Sequence, residues 1–304
     1  MTSLYRTKEF RVLGLAALSL TIVCTLASGA FRSLAQGGRD RDDSRTSHSR
    51  DVLSPEAREM VELASVVVCK ERIVDPKGSA PIDDMQGRPS LPVQSPEAIA
   101  GAQRAQRLLP IARELVVRSL RQLTRDYNLA GTRGNSFKIE RAITRVEAVK
   151  HVRPDVDSRD NASVFLRNPH TIIFGTIFLA GLPSDEGIIS VLAHELVHIG
   201  DGGQDSLSLL FRTLGRRATQ LTGWKINGQK AEELTCDLVG MMVARDYVAR
   251  TPSYEPLPRR ISRSLEHNCV EQDEGDDDHL SPRSTIRALL TLSPTLSREL
   301  VYGR

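Results

Sequence analysis

The alternation of polar and apolar positions divides the chain into segments of different period. Residues 12 to 31 are uncharged and rich in Leu and Ala, and Arg6, Lys8 and Arg11 precede them. A membrane span needs about 20 such residues, whereas the core of an export signal has about 7 to 15. Small-x-small sites at Ser28/Ala30 and Ser33/Ala35 would also suit a signal peptidase. Residues 1–36 therefore read as either a signal peptide or a membrane anchor. Residues 37 to 50 have no apolar side chain and mix both charge signs, so residues 37–53 read as a disordered tether.

Helical periodicity begins after the tether. Ser54, Pro55 and Glu56 supply an N-cap, an N1 proline and a first-turn acid, which predicts a helix over residues 55 to 73. Pro76, Pro81, Pro89 and Pro92 break up the connection that follows, so residues 54–95 read as one helix and a Pro-rich link. Ser95, Pro96 and Glu97 repeat the start signal. The next helix is expected to run to about Tyr127, with Leu108, Ile111, Leu115, Val116, Leu120 and Leu123 on its inner face. From Phe137 to Val152 the apolar positions read as strands, although Ile139, Ile143 and Val146 also fit a helical phase. Residues 161 to 166 and 170 to 179 are β-branched and bounded by Asn, Pro and Gly, which predicts two further strands. Ser184 then caps a nearly apolar helix that should stop at Gly200, and another helix is expected over about residues 230 to 250.

Composition narrows the function classes. The chain has 304 residues, with 41 basic against 38 acidic side chains and a net charge of +3, too balanced for a dedicated polyanion binder. With 7 Phe, 5 Tyr and 1 Trp there are few rings on which bases could stack, so nucleic acid is not an expected partner. Beyond Cys24 the cysteines are Cys69, Cys236 and Cys269, an odd number that excludes a disulfide framework. In an exported protein Cys69 and Cys269 could pair and leave Cys236 as a thiol within a helix; three free thiols are the other reading.

The chemistry concentrates at residues 194 to 198, which read HELVH. Histidines at i and i+4 project from one helical face, where both imidazoles can reach one tetrahedral metal, and Glu195 falls beside that metal rather than on it. Two imidazoles and a carboxylate on so apolar a helix would be expensive to bury unpaired, and a metal removes that expense. Zinc with two His needs a third protein ligand. Glu233 and Asp237 lie one turn apart on the later helix, so that Glu233 can join the metal while Asp237 holds a ligand imidazole by its other ring N–H. Glu232 is the rival ligand, but its i+4 neighbour is Cys236, which favours the Glu233 register.

HELVH, a gap of 34 residues and then Glu233-Leu-Thr-Cys-Asp237 resemble the HExxH and ExxxD pair of the gluzincin metallopeptidases, most closely the HtpX-like, CAAX prenyl endopeptidase type family. The resemblance covers about residues 143 to 290 and extends to FGTIFLAGLPSDEGIISVLAHELVH, which matches the family's strand and Leu-rich turn before the HExxH helix. Asn161 and Ala162, followed by Ser163, match the start of its substrate-binding edge strand. Ser281, Pro282 and Arg287 echo its later His-Pro segment, with Ser281 standing where His is expected.

The resemblance implies an α+β, mainly helical zincin-type metallopeptidase domain with a small β-sheet over residues 96–304, behind the N-terminal signal or anchor. It implies one Zn2+ per chain on His194, His198 and Glu233, with Glu195 as general base. The substrate would be a polypeptide added as a strand along 161 to 166, with Arg287 or His279 expected to contact the oxyanion or the substrate. The body would lie outside the cytoplasm or at the membrane, held there by the N-terminal apolar segment if that segment is uncleaved. A rival reading keeps the zinc for stability alone, in a tethered peptide-binding or scaffolding protein that catalyses nothing.

Overall fold

Serine hydroxyls open the helices that position the site, because a Ser side chain can accept from a first-turn N–H that has no partner within the helix. In a computed structural model, which describes residues 53–74, 89–131, 133–159, 161–165, 168–181, 184–203, 206–265 and 275–303, four helices begin this way. Ser54 Oγ accepts from Ala57 N at the start of α1 (Pro55–Val74), and Ser95 Oγ from Ala98 N at the start of α2 (Pro96–Asp126). The apolar run at 12 to 31, the tether up to residue 52, most of the Pro-rich link and Cys269 lie outside the described residues. Cys69 on α1 is disulfide-bonded, and Cys236 is a free, buried thiol. Among the described residues no helix is long and apolar enough to cross a membrane.

A short 3-10 turn (Leu129–Gly131) leads to α3 (Arg133–Glu147), then β1 (His151–Asp155), β2 (Ala162–Val164), β3 (Thr171–Gly175) and α4 (Thr176–Gly181). The remaining elements are α5 (Asp185–Asp201), α6 (Ser208–Thr222), α7 (Gln229–Arg250), α8 (Leu257–Ser264), α9 (Pro282–Leu292) and α10 (Pro294–Tyr302). The fold is α+β and mainly helical, with one three-stranded sheet of order β1-β3-β2. β1 runs parallel to β3, and β2 runs antiparallel to it with Ala162 opposite Phe174 and Val164 opposite Ile172. β2 is therefore an edge strand, and it packs against α5.

Several expectations from the pattern change. The strands expected over Phe137 to Val152 are α3 followed by β1. Ile139, Ala142, Ile143 and Val146 are all buried at three- and four-residue spacing, so the helical phase wins over alternation, while Phe137 stays exposed. The strand expected over 170 to 179 ends at Gly175, where Gly175 N donates to Asn161 O, and Ile177 N and Phe178 N both donate to Arg159 O. These bonds turn the backbone into α4. Ile111 is 38% exposed rather than on the inner face of α2. The HELVH helix continues to Asp201 and closes at Gly202, in the left-handed region (φ 64°), two residues later than expected. α6 lies in a stretch that the pattern leaves unassigned.

α5 is the central helix, with Ile188, Ile189, Leu192, Ala193, Leu196 and Val197 all 0% exposed. α2, α3, α7 and α8 pack round it. Both of its ends are clamped. Ser184 Oγ caps the start, Arg104 pairs with Asp185, and Arg260 from α8 pairs with Glu186 out of solvent. At the far end Arg145 donates to Gly200 O and Asp201 O, placing a cation against the carbonyls of the last turn.

α7 approaches α5 closely enough that a Cβ on Gly240 would sit 2.8 Å from Ser190 O, a backbone atom that cannot move aside cheaply. Gly240→Ala is expected to push the two helices apart and lower stability by about 1–3 kcal/mol, measured as a shift in the denaturant midpoint. An unchanged midpoint would show that this contact does not set the α5–α7 distance.

Candidate metal centre

His194 and His198 lie one turn apart near the C-terminal end of α5, and α7 carries Glu232, Glu233, Cys236 and Asp237 past them. Each imidazole is held at Nδ1 by its own acid. His194 Nδ1 donates to Asp237 Oδ1 at 2.8 Å, and His198 Nδ1 donates to Glu232 Oε1 at 2.9 Å. A carboxylate can only accept, so Nδ1 carries the proton in both rings, and each neutral ring presents its lone pair at Nε2. The two Nε2 atoms stand 3.1 Å apart, and Glu233 Oε2 lies 3.3 Å from each. The other carboxylate oxygen of Glu233 is held by Gln229 Nε2 at 2.9 Å, which leaves Oε2 turned towards the rings.

Three acceptor atoms facing one another across these distances repel unless a cation lies among them. Two cations fit the donor set, the proton and a metal ion. Without metal, burial opposes charge on both rings, yet the acids outweigh it. Asp237 and Glu233 hold His194 well above the usual imidazole range, while Cys236, Glu233 and Glu232 do the same for His198. Burial likewise opposes charge on Glu233, but His198, His194 and His279 around it hold its carboxyl well below the usual range.

A zinc ion fits the same atoms. Tetrahedral zinc with N and O ligands at about 2.0–2.1 Å separates neighbouring donors by about 3.3–3.4 Å, and the edges here are 3.1, 3.3 and 3.3 Å.

Cys236 offers a second candidate set, since one donor atom from each of His194, His198 and Cys236 lies within 4.8 Å of the others. Its sulfur is 3.8 Å from His198 Nδ1, the nitrogen already bonded to Glu232. Burial pushes the thiol up, towards its neutral form. Glu233 Oε2, by contrast, faces both Nε2 atoms at once, at 3.3 Å from each.

The structure brings most of the expected site residues together. His194, His198, Glu233 and Asp237 converge, and Glu195, the next residue on α5 after His194, is 6% exposed. Asn161, Ala162 and Ser163 fall at and just before β2: Asn161 precedes the strand, Ala162 is buried within it, and Ser163 pairs with Ile173. Arg287 donates to Glu62 of α1 at 2.8 Å and is half exposed. Ser281, where the resemblance expects His, caps α9 by accepting from Ser284 N. His279 does reach the cluster: its Nε2 is 3.7 Å from Glu233 Oε2, and its Nδ1 is 3.0 Å from Asp276 Oδ1.

Glu232 is the residue whose role the sequence leaves hidden. Considered only as a rival ligand, it instead orients His198 as Asp237 orients His194. The signal was present in the adjacent Glu232-Glu233 pair, which a helix splays by about 100°, so that one acid can meet each side of the facing helix. Asp237→Asn and Glu232→Gln are each expected to weaken zinc binding about 10–100-fold by releasing a tautomer. Competition against a chromophoric chelator measures this, and wild-type affinity in both variants would show that the Nδ1 bonds do not matter.

Comparison with family models, with curated proteins and with solved structures finds no match.

Proposed function

We propose that this chain is a zinc-dependent endopeptidase that hydrolyses peptide bonds outside the cytoplasm or at the membrane. The observation that carries this reading is the triangle of His194 Nε2, His198 Nε2 and Glu233 Oε2, with edges of 3.1–3.3 Å and a glutamate adjacent on the same helix. Those three residues would hold the ion. Zinc in a three-ligand setting supplies Lewis acidity, lowering the pKa of a water towards about 7 and polarising a carbonyl.

The chain's own residues do the rest. Glu195 accepts the proton of the attacking water on its carboxylate and returns it to the nitrogen of the leaving amine. Asp237 and Glu232 keep both ring protons on Nδ1, so that the Nε2 lone pairs stay directed at the ion. An extended peptide adds along β2, where backbone N–H and C=O groups give affinity and side-chain pockets give preference. Support for this comes from the sheet order: no strand among the described residues pairs with the outer edge of β2.

The test is zinc content together with casein cleavage by the purified chain, with and without a chelator. One zinc per chain, and cleavage that the chelator abolishes and added zinc restores, are expected. Bound zinc with no cleavage, in the wild type and in His279→Ala alike, would favour the scaffolding alternative. A metal-free chain would end both readings.

A further inference from the structure

His279 repeats what makes His194 and His198 look like ligands. Each of the three rings has an acid on Nδ1, from Asp237 at 2.8 Å, Glu232 at 2.9 Å and Asp276 at 3.0 Å. Each turns Nε2 towards the same oxygen, Glu233 Oε2, at 3.3, 3.3 and 3.7 Å. An acid on the far nitrogen is the usual partner of a metal-bound imidazole, because it sets the tautomer and raises basicity. His279 is also the one of the three that comes from a turn rather than from α5.

That turn is shaped for the purpose. Asp276 Oδ1 accepts from Asp278 N at 2.8 Å and from His279 N at 2.6 Å as well as from the ring, so the carboxylate fixes the backbone and the imidazole together. Gly275, at φ 79°, lies so close to the returning chain that a Cβ there would be 2.6 Å from Ser281 N. Ser281 then begins α9, which anchors the far end of the turn. The 3.7 Å separation from Glu233 is a few tenths of an ångström longer than the about 3.3–3.4 Å between neighbouring ligands on tetrahedral zinc. His279 therefore stands beside one vertex of the ligand triangle, Glu233 Oε2.

We propose that His279 is a fourth, displaceable metal ligand, carried to His194, His198 and Glu233 by the 275–281 turn, so that the chain holds its ion in a closed three-His, one-Glu set until the turn moves. This rests on the zinc reading of the site and deepens it. A catalytic site keeps one position open, and a site with four protein ligands is closed. With His279 in place the ion would be held but unavailable to substrate, and displacement of the turn, by a peptide arriving along β2 or by a partner, would open it.

The test uses the whole chain, stripped of metal and reloaded with Zn2+ or Co2+. His279→Ala is expected to weaken zinc binding at least about tenfold, since losing only the partner of a ligand already has an effect of about 10–100-fold. The visible spectrum of the Co2+-loaded wild type is expected to ignore added acetohydroxamate, whereas the spectrum of His279→Ala shifts with it and casein cleavage rises. Gly275→Ala, which displaces the turn and leaves every ligand intact, is expected to move the spectrum and the cleavage in the same direction.

If His279→Ala binds zinc within about twofold of wild type and its Co2+ spectrum is unchanged, the proposal is overturned. It is also overturned if cleavage falls while affinity holds, because His279 would then contact substrate rather than metal. A wild-type chain that takes up no metal overturns the zinc reading itself, a result distinct from either of these.

Discussion

Glu195→Gln should bind one equivalent of zinc as tightly as the wild type and lose about 10²- to 10⁴-fold in peptide hydrolysis, the usual contribution of a positioned general base. The amide has nearly the shape of the carboxylate, so a side chain that is 6% exposed on the central helix keeps its packing. None of the three proposed ligands is touched. What disappears is the ability to accept a proton at neutral pH, because an amide oxygen is far less basic. Zinc content and casein cleavage measured on the same preparation separate the two effects. A variant that cleaves at the wild-type rate would remove Glu195 from the mechanism, and one that loses its zinc would make Glu195 part of the metal's support.

Glu233→Ala should weaken zinc binding by more than the about 10–100-fold expected for an outer partner, whereas Cys236→Ser should leave affinity close to that of the wild type. The contrast decides between the two candidate ligand sets. Glu233 Oε2 lies 3.3 Å from both Nε2 atoms, while the sulfur of Cys236 approaches His198 at Nδ1, at 3.8 Å. Removing Glu233 leaves the two imidazoles with their lone pairs 3.1 Å apart and no carboxylate facing both Nε2 atoms. Removing the sulfur leaves that arrangement as it was. The opposite outcome, with Cys236→Ser losing the metal and Glu233→Ala keeping it, would assign the ion to His194, His198 and Cys236 and detach the peptidase reading from its geometry.

Local chemistry was legible wherever it depended on neighbours along the chain. Ser54, Ser95, Ser184 and their following residues marked helix starts, because a cap is satisfied within one turn. HELVH placed two imidazoles on one face because the helical repeat alone does so. Legibility failed where two local periods competed. Ile139, Ile143 and Val146 allowed either a strand or a helix, and burial of Ala142 alongside them in the core settled for α3. It failed again at β3, whose end is set by carbonyls of Arg159 and Asn161 more than a dozen residues earlier in the chain.

The amino-acid sequence by itself determined which side chains of α5 could meet a metal and that an acid pair would follow on a later helix, since both are consequences of spacing on a single element. Only the tertiary structure decided how α7 is rotated against α5. The two helices approach closely at Gly240 and Ser190, and the packing turns Glu233 to both Nε2 atoms while Glu232 and Asp237 go to the two Nδ1 atoms. It likewise took His279 to the cluster and Arg287 to Glu62, although both lie within a few residues of α9's start. A side chain's partner across the fold depends on the packing of whole helices, and no spacing within one segment encodes that.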